Sequence, residues 1–304
     1  MTGPGLDPAE RAVRLAIYRS FAAAGRVASA AEIAAETGLA VADVTDAMRN
    51  LHDAHAIVLT SAGDAVRMAH PFSAAPMGFV VGADGAGPAG YAGDRMWWGG
   101  CAWDSFGIGA ALGEPVVIRT RCPGCGRDLE LRVGPDQPPG QGLVVHIPCE
   151  ASHWWDDVVA TCSNIRLFCD PSHVDAWARS GSRPVGQAIP AITMWRLAQT
   201  WYGNRLDPDW SPRPTAAAQQ LLEERGLAGE FWRLPLPGRR GSASASLATG
   251  PRQNPPVRPR LLGEDVDAVA HAGLARGGQP VQMGPADQDG LGAEGQRGGG
   301  RSPP

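Results

Sequence analysis

The 304-residue chain contains no lysine, and all 27 of its basic residues are arginine. Against 31 acidic residues they leave a formal net charge of −4. That balance excludes a strongly basic surface, so neither nucleic acid nor an anionic membrane is expected as a general partner. The uniform use of arginine reads as a GC-rich coding bias rather than as function. No stretch approaches the roughly 18 uninterrupted apolar residues of a membrane helix, so no span is expected. The N-terminus, Met1-Thr-Gly-Pro-Gly-Leu-Asp-Pro8, lacks a basic segment followed by an apolar one. No secretory signal is therefore expected, and the expected location is the cytoplasm. Cysteine is absent outside residues 101–169, where all six lie. In a cytosolic chain that clustering points to metal or catalytic chemistry before disulfides. Residues 236–304 lack Phe, Trp, Tyr and Cys but hold 14 Gly and 9 Pro. Such a segment cannot bury enough apolar area to offset its ordering entropy, so a disordered tail without chemistry is expected.

What remains has 43% hydrophobic residues, enough for a sizeable core. Residues 1–75 read as one unit. Val13, Ile17 and Phe21 recur at spacing four within a helix over 9–24. Ser29-Ala-Ala-Glu32 is a capping box opening a second helix that Gly38 ends. Val44, Met48 and Leu51 share a face of a third helix over 41–55, and residues 57–68 read as a hairpin around Ser61–Asp64. Three helices and a hairpin follow the winged-helix order. Residues 1–70, however, carry eight acids and six arginines, and the third helix holds Asp43, Asp46 and Asp53 against one Arg49. Phosphate contacts need cations, so a structural or dimerisation module is expected in preference to a DNA reader.

Residues 76–235 predict a mixed α+β domain. Strands are expected at 79–81, 115–120, 128–133 and 143–147, and helices at 102–112, 171–180, 187–202 and 215–225. The chemistry centres on Trp97-Trp98-Gly99-Gly100-Cys101-Ala102-Trp103-Asp104-Ser105-Phe106. Cys101 and Asp104 stand three apart at a helix start and so share a face, a soft sulfur ligand beside a proton donor. Taken alone, the pair equally describes a small buried hydrophobe and a helix-start charge. Thr161-Cys162-Ser163-Asn164 adds a second thiol in a polar turn, after the aromatic and acidic patch Trp154-Trp155-Asp156-Asp157.

The run from Trp98 to Asp104, the distant Cys162, and Asp170-Pro-Ser-His-Val-Asp-Ala-Trp177 resemble the organomercurial (alkylmercury) lyases, the MerB family, over roughly residues 10–205. The resemblance implies a winged-helix-like N-terminal module without a DNA role and an α+β catalytic domain. It matches Cys101 and Cys162 to the mercury-binding cysteines and Asp104 to the acid. Ser163 stands where some members have a second, adjacent cysteine.

The implied chemistry agrees with physical expectation. Thiolates select soft metals, two of them push electron density toward the metal-bound carbon, and a carboxylic acid delivers the proton that lets the carbon leave. The expected products are a hydrocarbon and Hg(II), the latter removed by small thiols or handed to a mercuric reductase in a detoxification role. Trp97, Trp98 and Trp103 are expected to wall the pocket for the organic group. No resident cofactor is required. A structural zinc is the one metal the sequence suggests: Cys122-Pro-Gly-Cys125-Gly-Arg has the form of a zinc knuckle, with Cys149 and His153 as available partners. The resemblance sets Cys122 near a structural cysteine of the family, and Cys169 has no derivable role. Two other readings compete. One is a non-catalytic winged-helix metal sensor or zinc-binding regulator. The other is a thiol redox enzyme built on Cys122 and Cys125, which lacks the helix N-terminus that lowers a thiol pKa.

Overall fold

The computed structural model describes residues 5–85, 95–181 and 185–235. The expected tail, residues 236–304, lies outside the described residues. No described helix is long and apolar enough to cross a membrane.

The chain opens with α1 (Pro8–Ala24), α2 (Ala30–Thr37) and α3 (Val41–Asp53). Asp7 accepts from the Glu10 N–H at 2.8 Å while the Glu10 carboxylate accepts from the Asp7 N–H at 2.9 Å, a capping box that fixes the start of α1. The expected Ser29/Glu32 box opens α2, and Gly38 closes it in the left-handed conformation. Val13, Ile17 and Phe21 are fully buried, each worth about 1.5–3 kcal/mol relative to exposure. Val44, Met48 and Leu51 turn inward from α3. The hairpin forms from β1 (Val58–Leu59) and β2 (Val66–Ala69). It is not a free wing, because β2 also pairs with β3 (Phe72–Ser73), and β3 with β5 (Met96–Gly99). Beyond β5 come β4 (Val80–Ala83), β6 (Val116–Arg121) and β7 (Asp128–Val133), completing a seven-stranded antiparallel sheet in the order β1-β2-β3-β5-β4-β6-β7. Strand β7 alternates between exposed and buried residues, as its period-2 sequence predicts.

A second sheet sets β8 (Val144–Ile147) between β9 (Arg166–Phe168) and β10 (Gln187–Pro190). The elements here differ from those expected from sequence. The helix expected over 187–202 begins only at Ala191, as α7 (Ala191–Tyr202), and its first four expected residues are β10, with Gln187 opposite Ile147 and Pro190 opposite Val144. Proline disfavours a helical conformation at the residue before it, so the chain enters Pro190 extended and turns helical after it. Strand β5 was not anticipated, although its aromatic run suits a half-buried sheet.

Helix α4 (Ala102–Leu112) is buried along almost its whole length and packs on α7. Gly107 makes the approach possible: a Cβ there would overlap the Tyr202 ring. Helices α5 (Val158–Asn164), α6 (Ser172–Ser180) and α8 (Thr215–Glu224) complete the shell. The N-terminal helices are clamped to the segment after α7 by Arg14. Its Nη2 donates to the Arg205 carbonyl at 2.5 Å, and its guanidinium lies 3.9 Å from the centroid of the Trp210 ring and 4.4 Å from that of Tyr18. Burial lowers the Arg14 pKa to about 10.

Candidate active site

Strand β5 ends at Gly99, the backbone passes through Gly100, and Cys101 caps α4 with an extended backbone, φ −162°. The cap points the thiol back over the first turn, where Cys101 Sγ accepts from the Asp104 N–H at 3.3 Å. Asp104, one turn on and 1% exposed, faces the same space. Gly100 leaves room for that carboxylate, since a Cβ there would stand 2.5 Å from Asp104 Oδ2.

Cys162 comes from α5, not from the turn that the sequence suggests. Asp157 opens this short helix by accepting from the Ala160 N–H at 2.9 Å. The end of α5 is tied to the start of α4 because the Ala102 N–H donates to the Ile165 carbonyl at 3.1 Å. That bond draws together residues some sixty positions apart. Cys162 Sγ donates toward Asp104 Oδ2 at 4.0 Å, and the Cys101 and Cys162 thiols shift one another's titration. The three residues singled out in sequence thus share one buried point.

Two further side chains meet there that the sequence did not single out. Tyr202, at the end of α7, donates its hydroxyl to Asp104 Oδ1 at 2.6 Å, and His70 Nδ1 lies 3.1 Å from Asp104 Oδ2. Tyr202 offered one signal, being one of only three tyrosines and closing a helix with an apolar stripe. His70 offered none, because nothing local in His70-Pro71 announces a contact with residue 104. His70, Asp104 and Cys162 present ligand atoms within 4.8 Å of one another, close enough to share a metal ion.

The electrostatics follow from burial. Burial first, then the neighbouring Cys162 thiol and the charge of Asp104, push the Cys101 thiol well above its usual 9.0. For Cys162 the neighbouring Cys101 thiol acts downward, but burial and Asp104 outweigh it and the net shift is upward. Burial and the charges of Asp104 and Cys101 likewise raise the Tyr202 phenol well above its usual 10.0, keeping it a donor. Both thiols are therefore protonated at neutral pH until a metal replaces their protons.

The site opens into a cavity of about 520 Å³. Of the three expected wall residues, Trp103 lines it, whereas Trp97 and Trp98 do not. Both belong to β5, where Trp97 is buried with its indole N–H donating to the Phe21 carbonyl at 2.8 Å, and strand alternation sends Trp98 to the opposite face. Trp154, Trp155, Trp201 and Trp210 take their place as walls. Trp154 and Trp201 meet Trp103 edge to face, at 5.5 and 5.1 Å between centroids. His55 of the N-terminal unit stacks on Trp155 at 4.1 Å.

The expected zinc ligands separate into two places. Cys149 Sγ lies 3.9 Å from Thr161 Oγ1, and His153 faces solvent with its Nδ1 2.7 Å from Asp156. Neither reaches Cys122 or Cys125. Those two instead meet Cys169 and His173.

Residues 72–203 match the family model described as MerB, alkylmercury lyase. No curated protein matches the chain. Among solved structures, one described as the mercury-bound form of MerB2 aligns at 19% identity, over 66% of this chain and 91% of that one, with a TM-score of 0.47. Residues 72–203 are therefore an alkylmercury lyase family domain, and the enzyme class that this domain supports is alkylmercury lyase.

Proposed function

We propose that the chain cleaves carbon–mercury bonds by protonolysis, with Cys101 and Cys162 as the mercury ligands and Asp104 as the proton carrier. The observation that supports this most is the convergence of two buried thiols and one buried carboxylate from helices far apart in sequence. An organomercurial thiolate, R–Hg–SR′, enters the tryptophan-lined cavity with R against the rings. One cysteine thiol displaces R′S⁻, which leaves as R′SH with that cysteine's proton. The second thiol gives its proton to Asp104 and joins the metal as thiolate. Asp104 passes the proton to carbon as the C–Hg bond breaks, so R leaves as R–H and both cysteines hold Hg(II). Every proton is accounted for: two thiols supply two, one goes to R′SH and one to R–H. Tyr202 and His70 are positioning residues that hold the carboxylate between metal and carbon.

Small thiols then extract Hg(II), and delivery to a mercuric reductase would complete a detoxification role. The three-helix N-terminal unit is read as a winged-helix-like structural module. Asp43, Asp46 and Asp53 of α3 outnumber Arg49, which is itself paired with Asp46 at 2.6 Å, and this weighs against the sensor alternative. The test supplies phenyl- or methylmercury with excess thiol and measures released hydrocarbon and Hg(II). Wild type should turn over, while Cys101→Ala, Cys162→Ala and Asp104→Ala should each fall to background. A folded wild-type protein without turnover would overturn the proposal.

A further inference from the structure

We propose that Cys122, Cys125, Cys169 and His173 form a second metal site, separate from the mercury chemistry, that holds one structural zinc ion. Two sequence signatures meet there. Cys122-Pro-Gly-Cys125 forms the turn between β6 and β7, and Cys169-Asp-Pro-Ser-His173 leads from β9 into α6. The chain offers two Cys-x-x-x-His spacings, Cys149/His153 and Cys169/His173, and the fold brings only the second to the knuckle.

The geometry matches a tetrahedral zinc shell. With Zn–S near 2.3 Å and Zn–N near 2.0 Å, tetrahedral neighbours stand about 3.8 Å apart for two sulfurs and about 3.5 Å apart for sulfur and nitrogen. Cys125 Sγ and Cys169 Sγ are 3.5 Å apart, Cys169 Sγ and His173 Nδ1 3.4 Å, and Cys122 Sγ and His173 Nδ1 3.7 Å. All four ligand atoms lie within 4.8 Å of one another, and the sulfurs are free thiols, not a disulfide.

The backbone is already arranged for such a site. The Cys122 N–H donates to the Arg127 carbonyl and the Gly126 N–H to the Cys122 carbonyl, each at 2.9 Å. Gly126 has φ +72°, which glycine adopts freely. At Gly124 a Cβ would overlap His173, so glycine permits the knuckle to lie against the start of α6. Backbone N–H groups of Cys169, Cys125 and Gly124 hydrogen-bond to the Cys122 sulfur, the kind of contact that supports a metal-bound thiolate. Binding Zn²⁺ displaces the remaining thiol protons to solvent and leaves three thiolates and a neutral imidazole, a closed structural set without an open position.

The ion would join the two sheets. Cys122 and Cys125 belong to the β6–β7 turn of the larger one, and Cys169 follows β9 of the smaller. Strand β9 comes directly after α5, so the ion would fix the support of Cys162 from below.

The experiment uses the full chain purified under reducing conditions without chelator. Elemental analysis should give close to one zinc per chain. Cobalt substitution should give thiolate-to-metal charge-transfer absorption together with the intense visible bands of tetrahedral Co²⁺. Cys125→Ser, at an exposed turn, and His173→Ala should lose both, while Cys149→Ser, His153→Ala and the Cys101→Ala/Cys162→Ala double variant should keep them. Folding of each variant is checked by circular dichroism. Metal-free wild type that gives no cobalt spectrum would overturn the proposal, as would a Cys125–Cys169 disulfide found in its place. Zinc that survives Cys125→Ser and His173→Ala but leaves with the Cys101/Cys162 pair would also overturn it, by moving the ion to the lyase site.

Discussion

Tyr202 donates its hydroxyl to Asp104 Oδ1 at 2.6 Å while His70 holds the other oxygen of the same carboxylate at 3.1 Å. Each oxygen thus has its own polar partner, and Oδ2 also faces the Cys162 thiol at 4.0 Å. A carboxylate so held needs little reorganisation when it receives and gives a proton, and pre-set groups of this kind contribute through positioning.

Removing one partner tests this. Tyr202→Phe keeps the ring against Gly107 and Trp103 and removes only the hydroxyl. Turnover at saturating substrate should fall by about one to two orders of magnitude, with KM changed little, and stability should fall by about 1–3 kcal/mol because a buried acceptor loses its donor. Turnover equal to wild type would remove Tyr202 from the proposed machinery.

Gly100 tests the space around the same carboxylate. In Gly100→Ala the new methyl would press on Asp104 Oδ2, at 2.5 Å in the unrelaxed structure. The carboxylate must swing, so activity should drop sharply while stability falls by only about 1–3 kcal/mol. Steady-state turnover read alongside thermal unfolding separates the two effects. Full activity in a folded variant would show that the carboxylate position is not critical.

The upward shifts of Cys101 and Cys162 have a definite sign. Both thiols carry protons at neutral pH, so Hg(II) binding at pH 7 should release about two protons per ion, measurable in weakly buffered solution. Stability follows the same shifts. The folded state keeps these protons longer than the unfolded chain, so their contribution is intact below the unfolded thiol value of 9.0 and is lost as pH rises beyond it. Cys101→Ala should therefore flatten the decline in Tm above about pH 9. An unchanged alkaline slope would contradict the burial argument.

Trp201 and Trp98 discriminate wall from scaffold. Trp201 lines the cavity and meets Trp103, whereas Trp98 lies outside it. Trp201→Ala should raise KM for phenylmercury by about ten-fold, the scale of an aromatic contact, with a smaller effect for methylmercury. Trp98→Ala should leave both values near wild type, whatever its effect on Tm. The reverse pattern would return the wall to β5.

Much of the fold could be read in local patterns, because capping boxes, helical stripes and the alternation of β7 are local devices. The helix start at Ala191 was displaced by Pro190, a case in which a single residue overrides an apolar run. The site was readable only in part. Cys101 and Asp104 are neighbours on one helix, so their spacing carries geometry by itself. His70 and Tyr202 reach Asp104 only through tertiary packing, across 34 and 98 residues, and no local pattern encodes that. The knuckle at Cys122 was visible as half a site. The packing of β9 against β6, which no local pattern encodes, sets Cys169 and His173 beside it.

The hairpin joined to the main sheet has a practical meaning. The family match begins at residue 72, yet His70, His55 and the β2 edge that covers β3 precede it, and Trp210 follows it. Trimming the chain to the matched segment would bare a strand edge, a template for aggregation. It would also leave Asp104 without its histidine and the cavity without part of its rim. The piece that looks like the enzyme by sequence is therefore smaller than the piece that can be handled as one at the bench.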